Sequence, residues 1–349
     1  MPSAQISPCR ANMADDRKQR IIPAPFTDAL NDSVDRLYKN VFCSVVRATG
    51  RHDTRSASAF IIEANQVIEQ IILFSRKGRA LTVLNELATL PQGALHQFAQ
   101  YVFTNLHEID FINFPSVCTG SIDTRFPMQR HNSTEDIVAT LPETVEAYLG
   151  ALSKNTREGI RRYQKRITRN HPEIEYHFYE RDQVPLSELL EIIELSRARI
   201  RQKRQIPAHT EETIADLQRM VSKYGVTLVA TRNGKVCAGV ICTRVHEHLF
   251  MHVVAHDPAL DDLRLGKICC FLSICDAIKR GCKEYHMLSG EYDYKYQFLG
   301  KRKDYEHITL YRSLSSIILN PQRYLKNEIR GKGRRFKQIL KKWSKKWSR

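Results

Sequence analysis

The chain of 349 residues has no uninterrupted run of 18 or more apolar residues, and this excludes a membrane-spanning helix. Its nine cysteines are an odd number and include no C-x-x-C pair. Three of them, Cys269, Cys270 and Cys275, lie within one apolar segment. Reduced cysteines that pack as small apolar side chains explain this pattern better than disulfides or a metal site. The expected compartment is therefore a reducing one, the cytoplasm.

The first 30 residues lack the apolar segment of a secretory signal. They are polar and contain Pro2, Pro8, Pro23 and Pro25, a composition that is typical of a disordered chain. We therefore expect residues 1–30 to form a disordered leader that precedes the folded part of the protein.

Positive charge is concentrated at the C-terminus. Residues 321–349 hold twelve Lys or Arg and one Glu, so +11 of the net charge of +16 lies there and the other 320 residues carry +5. Apolar residues at helix-compatible spacing lie among them: Leu325, Ile329, Phe336, Leu340, Trp343 and Trp347. A basic amphipathic tail over residues 316–349 fits an anionic membrane surface, with a solubilising or RNA-contacting tail as the alternative. The charge does not make nucleic acid a partner of the whole chain.

Residues 174–312 have the clearest periodicity. Alternating apolar residues predict strands, and helical spacing predicts helices between them at residues 185–204, 211–224 and 266–280. The strands are expected at residues 174–180, 226–232, 235–245, 249–256, 283–289 and 304–312. Asn233-Gly234 predicts a tight hairpin between two of them. The fold class is therefore α/β or α+β, with helices packed on a sheet, and residues 141–315 form its C-terminal domain.

An earlier part of the chain repeats this order in shorter form. Strands are predicted at residues 57–64, 66–75, 80–87 and 108–115, with a helix at residues 92–106 before the last strand. We interpret residues 31–125 as the first of two tandem halves, although no residue-level identity accompanies the repeated order. The polar residues 126–140 are then interpreted as a linker between the halves.

The segment that opens the predicted helix at residue 266 is a candidate for holding an anionic donor. Backbone N–H groups at a helix N-terminus bind phosphate and pyrophosphate groups. The chain there reads Arg264, Leu265, Gly266 and Lys267, so a glycine permits close approach of the backbone and two basic residues supply positive charge. Two aspartates just before this segment oppose an anion, and an ordinary loop with a basic edge is the alternative.

A second cluster follows the strand at residues 283–289, and active sites of open sheets gather beyond the carboxyl ends of strands. It consists of Gly290, Glu291, Tyr292, Asp293, Tyr294, Lys295 and Tyr296. Acylation of an amine requires a base for the nucleophile and a proton donor for the leaving thiolate. Glu291 or Asp293 is a candidate base, Tyr294 and Lys295 are further catalytic candidates, and Gly290 is a candidate for substrate binding. An exposed polar loop is the alternative.

Two histidines, His252 and His256, lie on the strand at residues 249–256, where their even spacing predicts a shared face. His256, beside Asp257, is a candidate base, and a histidine that is satisfied by hydrogen bonds within the sheet is the alternative. No Cys/His spacing in this region matches a zinc site, so no metal is expected.

A basic stripe at i, i+4, i+8 spacing lies on the helix that follows Ser153 and consists of Arg157, Arg161 and Lys165. Arg157 and Arg161 are candidates for binding an anionic substrate. A solvated helix face is the alternative for this charge pattern.

Residues 125–315 resemble the CelD/BcsL-type, or BioF-like, acetyltransferases, which are bacterial members of the GNAT superfamily of acyl-CoA-dependent N-acetyltransferases. The resemblance is carried by a Gly-x-x-x-Tyr-Lys pattern, here Gly290 and Tyr294-Lys295, and by the Arg-rich helix after Ser153. It implies a GNAT fold, a mixed twisted sheet flanked by helices, with acetyl-CoA or another acyl-CoA as the donor. It further implies N- or O-acetyl transfer in exopolysaccharide or cell-envelope synthesis.

The FemABX-type peptidyltransferases are also similar, because the GNAT fold is doubled in them, and they take aminoacyl groups from tRNA. An aminoacyl-tRNA-dependent transferase, with tRNA as its partner, is therefore an alternative, as is a non-catalytic binding protein on a GNAT scaffold. The leading expectation is a cytoplasmic enzyme attached peripherally to the inner face of the membrane. One departure from the CelD/BcsL-type pattern is His286, where that family usually has Asp.

Overall fold

The computed structural model describes residues 17–51, 57–91, 93–120, 122, 124–202 and 210–347, with the backbone alone beyond residue 336. In this described part, thirteen strands form one sheet. They are β1 Lys18–Pro23, β2 Ala57–Ala64, β3 Val67–Lys77, β4 Ala80–Val83, β5 Ala88–Thr89, β6 Phe111–Cys118, β7 Met128–Thr140, β8 Ile174–Glu180, β9 Gly225–Arg232, β10 Lys235–Val245, β11 His248–His256, β12 Glu284–His286 and β13 Lys301–Tyr311.

Helices cover both faces of this sheet, and short 3-10 turns connect some of them to strands. The helices are α1 Asp28–Tyr38, α2 Val45–Arg51, α3 Ala94–Asn105, α4 Val145–Ala151, α5 Lys154–Asn170, α6 Leu186–Gln202, α7 Glu211–Tyr224, α8 Leu265–Lys279, α9 Asp293–Gln297, α10 Leu314–Leu319 and α11 Pro321–Trp347. None of the described helices combines the length and the apolar character needed to cross a bilayer.

The two halves of the sheet are built in the same order, which confirms the predicted doubling. In the first half β2, β3 and β4 form an antiparallel meander, α3 follows, and β6 pairs with β4 in parallel. In the second half β9, β10 and β11 form the meander, α8 follows, and β12 pairs with β11 in parallel. Each half also begins with an edge strand, β1 or β8, that is followed by two helices.

The predicted linker at residues 126–140 is wrong, because most of it is β7, a central strand that pairs with both β12 and β13. Its polar side chains misled the prediction, since α11 packs against β7 and satisfies them. Gln129 Nε2 donates to the Tyr324 carbonyl at 3.1 Å and to Glu328 at 3.0 Å. β7 is covered by α11 but carries polar side chains, so it lacks the alternation of apolar residues by which a strand is predicted from sequence.

The sheet also removes the predicted boundary between the halves. From the N-terminal side the central strands run β6, β13, β7 and β12, so β13 from the end of the second half lies between strands of earlier sequence. The proposed units 31–125 and 141–315 therefore share one hydrogen-bonded sheet. Their interface is a ladder of backbone hydrogen bonds in place of a flexible connection.

The predicted leader ends earlier than residue 30. Residues 18–23 form the edge strand β1, which pairs with residues 58–63, and Thr27 caps α1 by accepting a hydrogen bond from the Leu30 N–H. An edge strand exposes most of its side chains, so its polar composition resembled that of a disordered chain. Residues 1–16 of the predicted leader lie outside the described residues.

The core of the second half lies on both faces of its meander. Helices α6 and α7 pack Ile192 and Leu217 against one face, where Val229, Ile241 and Phe250 lie. The opposite face is covered by α4, α5 and α8, and α8 is buried along nearly all of its length. Because α8 is enclosed, its N-terminal turn is fixed relative to the ends of β11 and β12, where the candidate site lies.

The C-terminal tail forms one continuous helix, α11, after the short helix α10. Its first turns are anchored on β7, and its outward side presents Leu325, Ile329 and Phe336, which are 57%, 69% and 62% exposed. Leu340, Trp343 and Trp347 lie in the part of the helix whose side chains are not described. The amphipathic pattern therefore holds for the described half of the helix.

Candidate active site

Strands β11 and β12 separate soon after they meet, and this opens a wedge in the sheet. Their parallel pairing covers only residues 248–250 and 284–286. Beyond it the Met287 N–H donates to the Ile137 carbonyl of β7 at 2.8 Å, while β11 continues to His256. A cavity of about 280 Å³ lies in the wedge, between residues 251–254 and 287–289.

The cavity is closed by two further elements. The last turns of α6 contribute Ser196, Arg199 and Ile200, and the segment leading into α9 contributes Tyr292, Tyr294 and Lys295. The sequence prediction that the tyrosine-rich segment lies at the end of a strand agrees with this arrangement. Ser289 was not predicted. Arg199 and Ser196 were not predicted either, because α6 precedes the two sides of the wedge by about 50 and about 90 residues of chain and no local pattern connects them.

A β-bulge on β11 places His252 at this cavity. The register with β10 jumps from Val253 opposite Ile241 to Met251 opposite Cys242, so His252 is the extra residue. Bulges break the alternation of side chains and often lie next to active sites. His252 consequently lies beside Thr243 Oγ1, 2.8 Å from its Nε2, and its ring is 5.6 Å from Phe42.

The bulge overturns the prediction that His252 and His256 share a face. Phe250 and Val253 both pack on the side of α6 and α7, so the alternation has shifted by one residue between them. His256 lies on the other side, against α8, where an added Cβ on Gly266 would lie 2.7 Å from its Nδ1. An even spacing in sequence is a valid sign of a shared face only where the strand is regular.

Lys295 is buried at the strand end, with 2% of its surface exposed. Its ammonium donates to three backbone carbonyls, those of Met287 at 2.5 Å, Leu288 at 2.9 Å and Ser289 at 2.7 Å. Burial lowers the pKa of Lys295 from 10.5 to about 8. Because all three donors are used, Lys295 holds the chain that lines the cavity and does not present an unused proton to a substrate.

Tyr294 lies in the cavity wall and packs against Phe298 with ring centroids 6.5 Å apart. Tyr292 stacks beside it at 6.1 Å. Burial raises the pKa of Tyr294, so its hydroxyl stays protonated at neutral pH, although the positive charge of Arg199 acts in the opposite direction. Tyr294 is thus a proton donor in chemical character.

The carboxylates of this segment do not line the cavity. Glu291 Oε1 accepts from the Arg302 guanidinium at 2.8 Å and from the Tyr296 hydroxyl at 3.3 Å, so it is held at the rim. Asp293 is exposed at the first turn of α9. Gly290 has φ +95°, and its N–H donates to Glu135 at 3.1 Å, so it forms the turn that carries this segment past β7.

The N-terminal turn of α8 contacts α9, whose first residues line the cavity. Arg264 adopts a left-handed conformation at its start, Leu265 is fully buried, and Lys267 Nζ donates to Gln297 of α9 at 2.6 Å. Burial lowers the pKa of Lys267. The predicted donor segment and the tyrosine-rich segment are therefore adjacent. Gly266 is required here for packing of the helix against His256.

The two aspartates before α8 are neutralised by partners. Asp261 contacts His256 Nε2 at 3.0 Å and Arg264 at 3.5 Å, and Asp262 accepts from Arg166 of α5 at 2.5 Å. The hydrogen bond with His256 is the largest cause that lowers the pKa of Asp261. These ion pairs reduce the opposition to an anion that the sequence alone indicated. His256 is therefore hydrogen-bonded to Asp261, a residue that precedes α8.

The predicted substrate-binding arginines lie elsewhere. Arg157 Nη1 donates to the carbonyls of Leu149, Gly150 and Leu152, so it caps the end of α4. Arg161 lines a separate groove between α4, α5 and α8. Neither of these two residues is among those that line the cavity.

A family model described as "Acetyltransferase (GNAT) domain" matches residues 154–296. No curated protein matches the sequence significantly. The matched range includes α8, both strands of the wedge and α9.

Several solved structures share the fold over most of the chain. FemX is 7% identical with a TM-score of 0.59, and the alignment covers 83% of this chain and 96% of FemX. The C-terminal domain of a putative lysylphosphatidylglycerol synthetase from Agrobacterium fabrum is 11% identical, with a TM-score of 0.51 and coverages of 82% and 92%. L-PGS from Bacillus licheniformis is 11% identical, with a TM-score of 0.50 and coverages of 85% and 96%. At these identities the likeness concerns the fold. The chain thus has a GNAT fold, and its residues 154–296 are similar to a GNAT acetyltransferase domain.

Proposed function

We propose that this protein is an acyltransferase that moves an acyl group from a CoA thioester to an amine or hydroxyl. The observation that supports the proposal is the wedge between β11 and β12, whose cavity is lined in part by α9, which in turn contacts the N-terminal turn of α8 through Gln297 and Lys267. Where two neighbouring strands separate, their backbone N–H and C=O groups are free to form hydrogen bonds with the extended part of the acyl donor. The adjoining helix terminus suits the negative charge at the other end of the same donor.

The donor's pyrophosphate is expected at the start of α8. The first N–H groups of any helix have no intrahelical acceptor, and the helix dipole favours an anion there. Arg264 and Lys267 flank these groups and add positive charge. Lys267 also donates a hydrogen bond to Gln297 of α9, so a donor bound at this turn would contact the residue that holds α9, the helix that carries Tyr294.

The transfer step requires one base and one acid. As the acceptor's nitrogen or oxygen bonds to the carbonyl carbon, the carbon–sulfur bond breaks, the acceptor loses a proton and the departing thiolate takes one up. We assign the base to His252, because the bulge brings it to the cavity. Tyr294 is the donor to sulfur. Lys295 is a positioning residue, and Glu291, held by Arg302, is not assigned a proton-transfer role.

The acceptor proposed from the family resemblance is a cell-envelope or exopolysaccharide precursor. Arg199 in the cavity wall favours an acceptor that carries negative charge near its nucleophile. The exposed apolar residues of α11, together with its Lys and Arg residues, are compatible with a position at an anionic membrane surface. The narrower CelD/BcsL-type assignment and the cytoplasmic, membrane-peripheral location are part of this proposal.

A second candidate function is aminoacyl transfer from tRNA. The fold likeness to FemX and to the putative lysylphosphatidylglycerol synthetase favours it, and so does a pocket of about 660 Å³ at the opposite end of the second meander. That pocket is lined by five basic side chains: Arg181, Arg219, Lys223, Arg244 and Arg280. A polyanion is the kind of ligand that such a lining attracts.

The experiment is calorimetric titration of the full chain with acetyl-CoA, longer acyl-CoAs and aminoacyl-tRNA. Lys267→Glu should weaken CoA-ester binding about tenfold or more, since it reverses a charge beside the pyrophosphate. Lys279→Glu makes the same change at the exposed far end of α8 and should leave the affinity unchanged. His252→Gln should lower kcat while leaving donor affinity within about twofold, because a base acts in the transition state.

The outcomes separate the candidates. Binding of aminoacyl-tRNA without binding of any CoA ester would replace the first proposal by the second. Equal loss of affinity in Lys267→Glu and Lys279→Glu would refute the placement of the donor at the α8 turn. If no donor binds, the fold serves as a non-catalytic scaffold.

A further inference from the structure

A cluster of two histidines and a carboxylate lies at the closed end of the wedge, apart from the cavity. We propose that His248, Glu284 and His286 bind one divalent transition-metal ion, with Zn²⁺ as the preferred ion. His248 and Glu284 are opposite each other in the parallel β11–β12 ladder, and His286 is two residues along β12 on the same face. This inference is independent of the acyl transfer reaction.

The three ligand atoms have the spacing that a tetrahedral ion requires. Ligands about 2.0–2.1 Å from a zinc ion at tetrahedral angles are roughly 3.3–3.4 Å from one another. His286 Nε2 lies 3.2 Å from Glu284 Oε2 and 3.4 Å from His248 Nδ1. The third edge, from His248 Nδ1 to Glu284 Oε2, is 3.6 Å. The triangle therefore matches one face of a tetrahedron within a few tenths of an ångström.

A partner behind His286 orients it as a metal ligand. Its Nδ1 is 2.7 Å from Oδ2 of Asp136, a fully buried residue of β7. When Nδ1–H donates to this carboxylate, the lone pair of Nε2 faces Glu284 and His248. A carboxylate behind a histidine is the usual second shell of zinc-binding histidines. Phe250 stacks on the His286 ring at 4.2 Å and restricts its rotation.

Three lone-pair atoms that converge in this way repel each other unless a cation or protons lie among them. The nearby ammonium groups do not fill this role. Lys39 forms an ion pair with Glu247, and Lys303 donates to Thr89 at 3.0 Å. Glu284 is 38% exposed and His248 is 21% exposed, so an ion and a water as fourth ligand can reach the site from solvent. His₂Glu with an open position is an established zinc ligand set.

The position in the fold gives the ion a structural role. β11 and β12 pair over only three residues before the wedge opens, with the N–H groups of Lys283 and Glu284 also donating to the Glu247 carbonyl just before β11. An ion that joins His248 to Glu284 and His286 would fasten the strands at the point where they part. Asp136 would extend this connection to β7. The local Cys/His spacing used in the sequence analysis misses the site because its ligands come from two adjacent strands.

The test uses the full chain without an affinity tag, dialysed against a chelator and titrated with Zn²⁺ in the presence of a competing chelator dye. The expected result is one ion bound per chain, with a tetrahedral ligand-field spectrum when Co²⁺ replaces Zn²⁺. Glu284→Gln and His248→Ala should each weaken binding by about tenfold or more. Both side chains are partly exposed, so the fold should tolerate these changes.

His177→Ala is the matched control. His177 lies on β8 with Glu175 at 3.5 Å, so it is a strand histidine next to a carboxylate without the His248–His286 arrangement. Its removal should leave zinc affinity unchanged. The proposal is overturned if the wild-type chain binds no ion stoichiometrically, or if Glu284→Gln and His248→Ala bind as tightly as the wild type and His177→Ala. In either case the cluster holds protons and no metal.

Discussion

Replacing Lys295 by methionine tests whether this residue positions the wall of the cavity. The methionine side chain fills similar space but cannot donate to the carbonyls of Met287, Leu288 and Ser289. Leaving a buried acceptor without its donor costs about 1–3 kcal/mol, so the three together cost about 3–9 kcal/mol. Against this, the lowered pKa, from 10.5 to about 8, means that keeping the ammonium charged costs the folded state about 3 kcal/mol. The variant should therefore be destabilised by a few kcal/mol, up to about 6 kcal/mol, near neutral pH.

The pH dependence of this difference has a defined sign. The pKa of Lys295 is lower in the folded state, so between pH 8 and pH 10.5 the unfolded chain binds a proton that the folded chain does not. Stability therefore rises with pH across this window in the wild type and is lost as pH falls through 8. Methionine does not titrate, so its variant lacks this contribution. Urea denaturation of both proteins at several pH values measures the difference.

Activity supplies the second readout. If Lys295 fixes residues 287–289, its loss should lower kcat by about 10–100-fold, because small misplacements of a reacting group are costly. Donor affinity at α8 should change much less. Lys301→Met, on the exposed start of β13, is the control and should leave both quantities unchanged. Wild-type stability and kcat in Lys295→Met would refute the positioning role, and a pH slope identical to the wild type's would refute its lowered pKa.

Two further predictions concern the C-terminal helix. Arg334→Ala removes a 2.7 Å hydrogen bond to Glu135, whose other carboxylate oxygen accepts from the Gly290 N–H. We therefore expect kcat to fall a few-fold, with at most about 1 kcal/mol lost from the free energy of unfolding. Lys332→Ala is the control and should leave kcat unchanged; an unchanged kcat in Arg334→Ala as well would show that the tail and the site are uncoupled. Ile329→Asp should weaken binding of the full chain to acidic vesicles at low salt, because it places a charge on the exposed apolar side of α11. Sedimentation with the vesicles measures this binding, and absence of binding by the wild-type chain would refute the membrane proposal.

The regular elements of the second half could be predicted from sequence because each is determined locally. The Asn233-Gly234 turn connects β9 and β10 as expected, and Thr210 caps α7 by accepting from the Thr213 N–H. Gly281, with φ +75°, follows the end of α8. In each case a short stretch of residues carries both the signal and the structural reason for it.

β7 could not be predicted in the same way, because the partners that make its polar residues acceptable are about 200 positions away in sequence. Asn132 and Glu135 both accept from Arg334, which belongs to the tail helix. The bulge at His252 had no sequence signal either, since the residues on both sides are ordinary strand formers. Both features depend on contacts between parts of the chain that are distant in sequence, and the periodicity of apolar residues does not indicate such contacts.

Contacts between distant parts of the chain also decide which of the candidate residues we assign a role in proton transfer. The sequence predicted Glu291, Tyr294 and Lys295 as site residues beyond the end of a strand, and the structure places them after β12, because position relative to a strand is visible in sequence. Their hydrogen-bond partners could not be predicted from sequence: the Arg302 guanidinium donates to Glu291, and the Lys295 ammonium donates to three backbone carbonyls. Glu291 is not among the residues that line the cavity, and the ammonium of Lys295 is held by three carbonyls. We therefore propose that transfer chemistry depends on Tyr294 and His252, which both line the cavity.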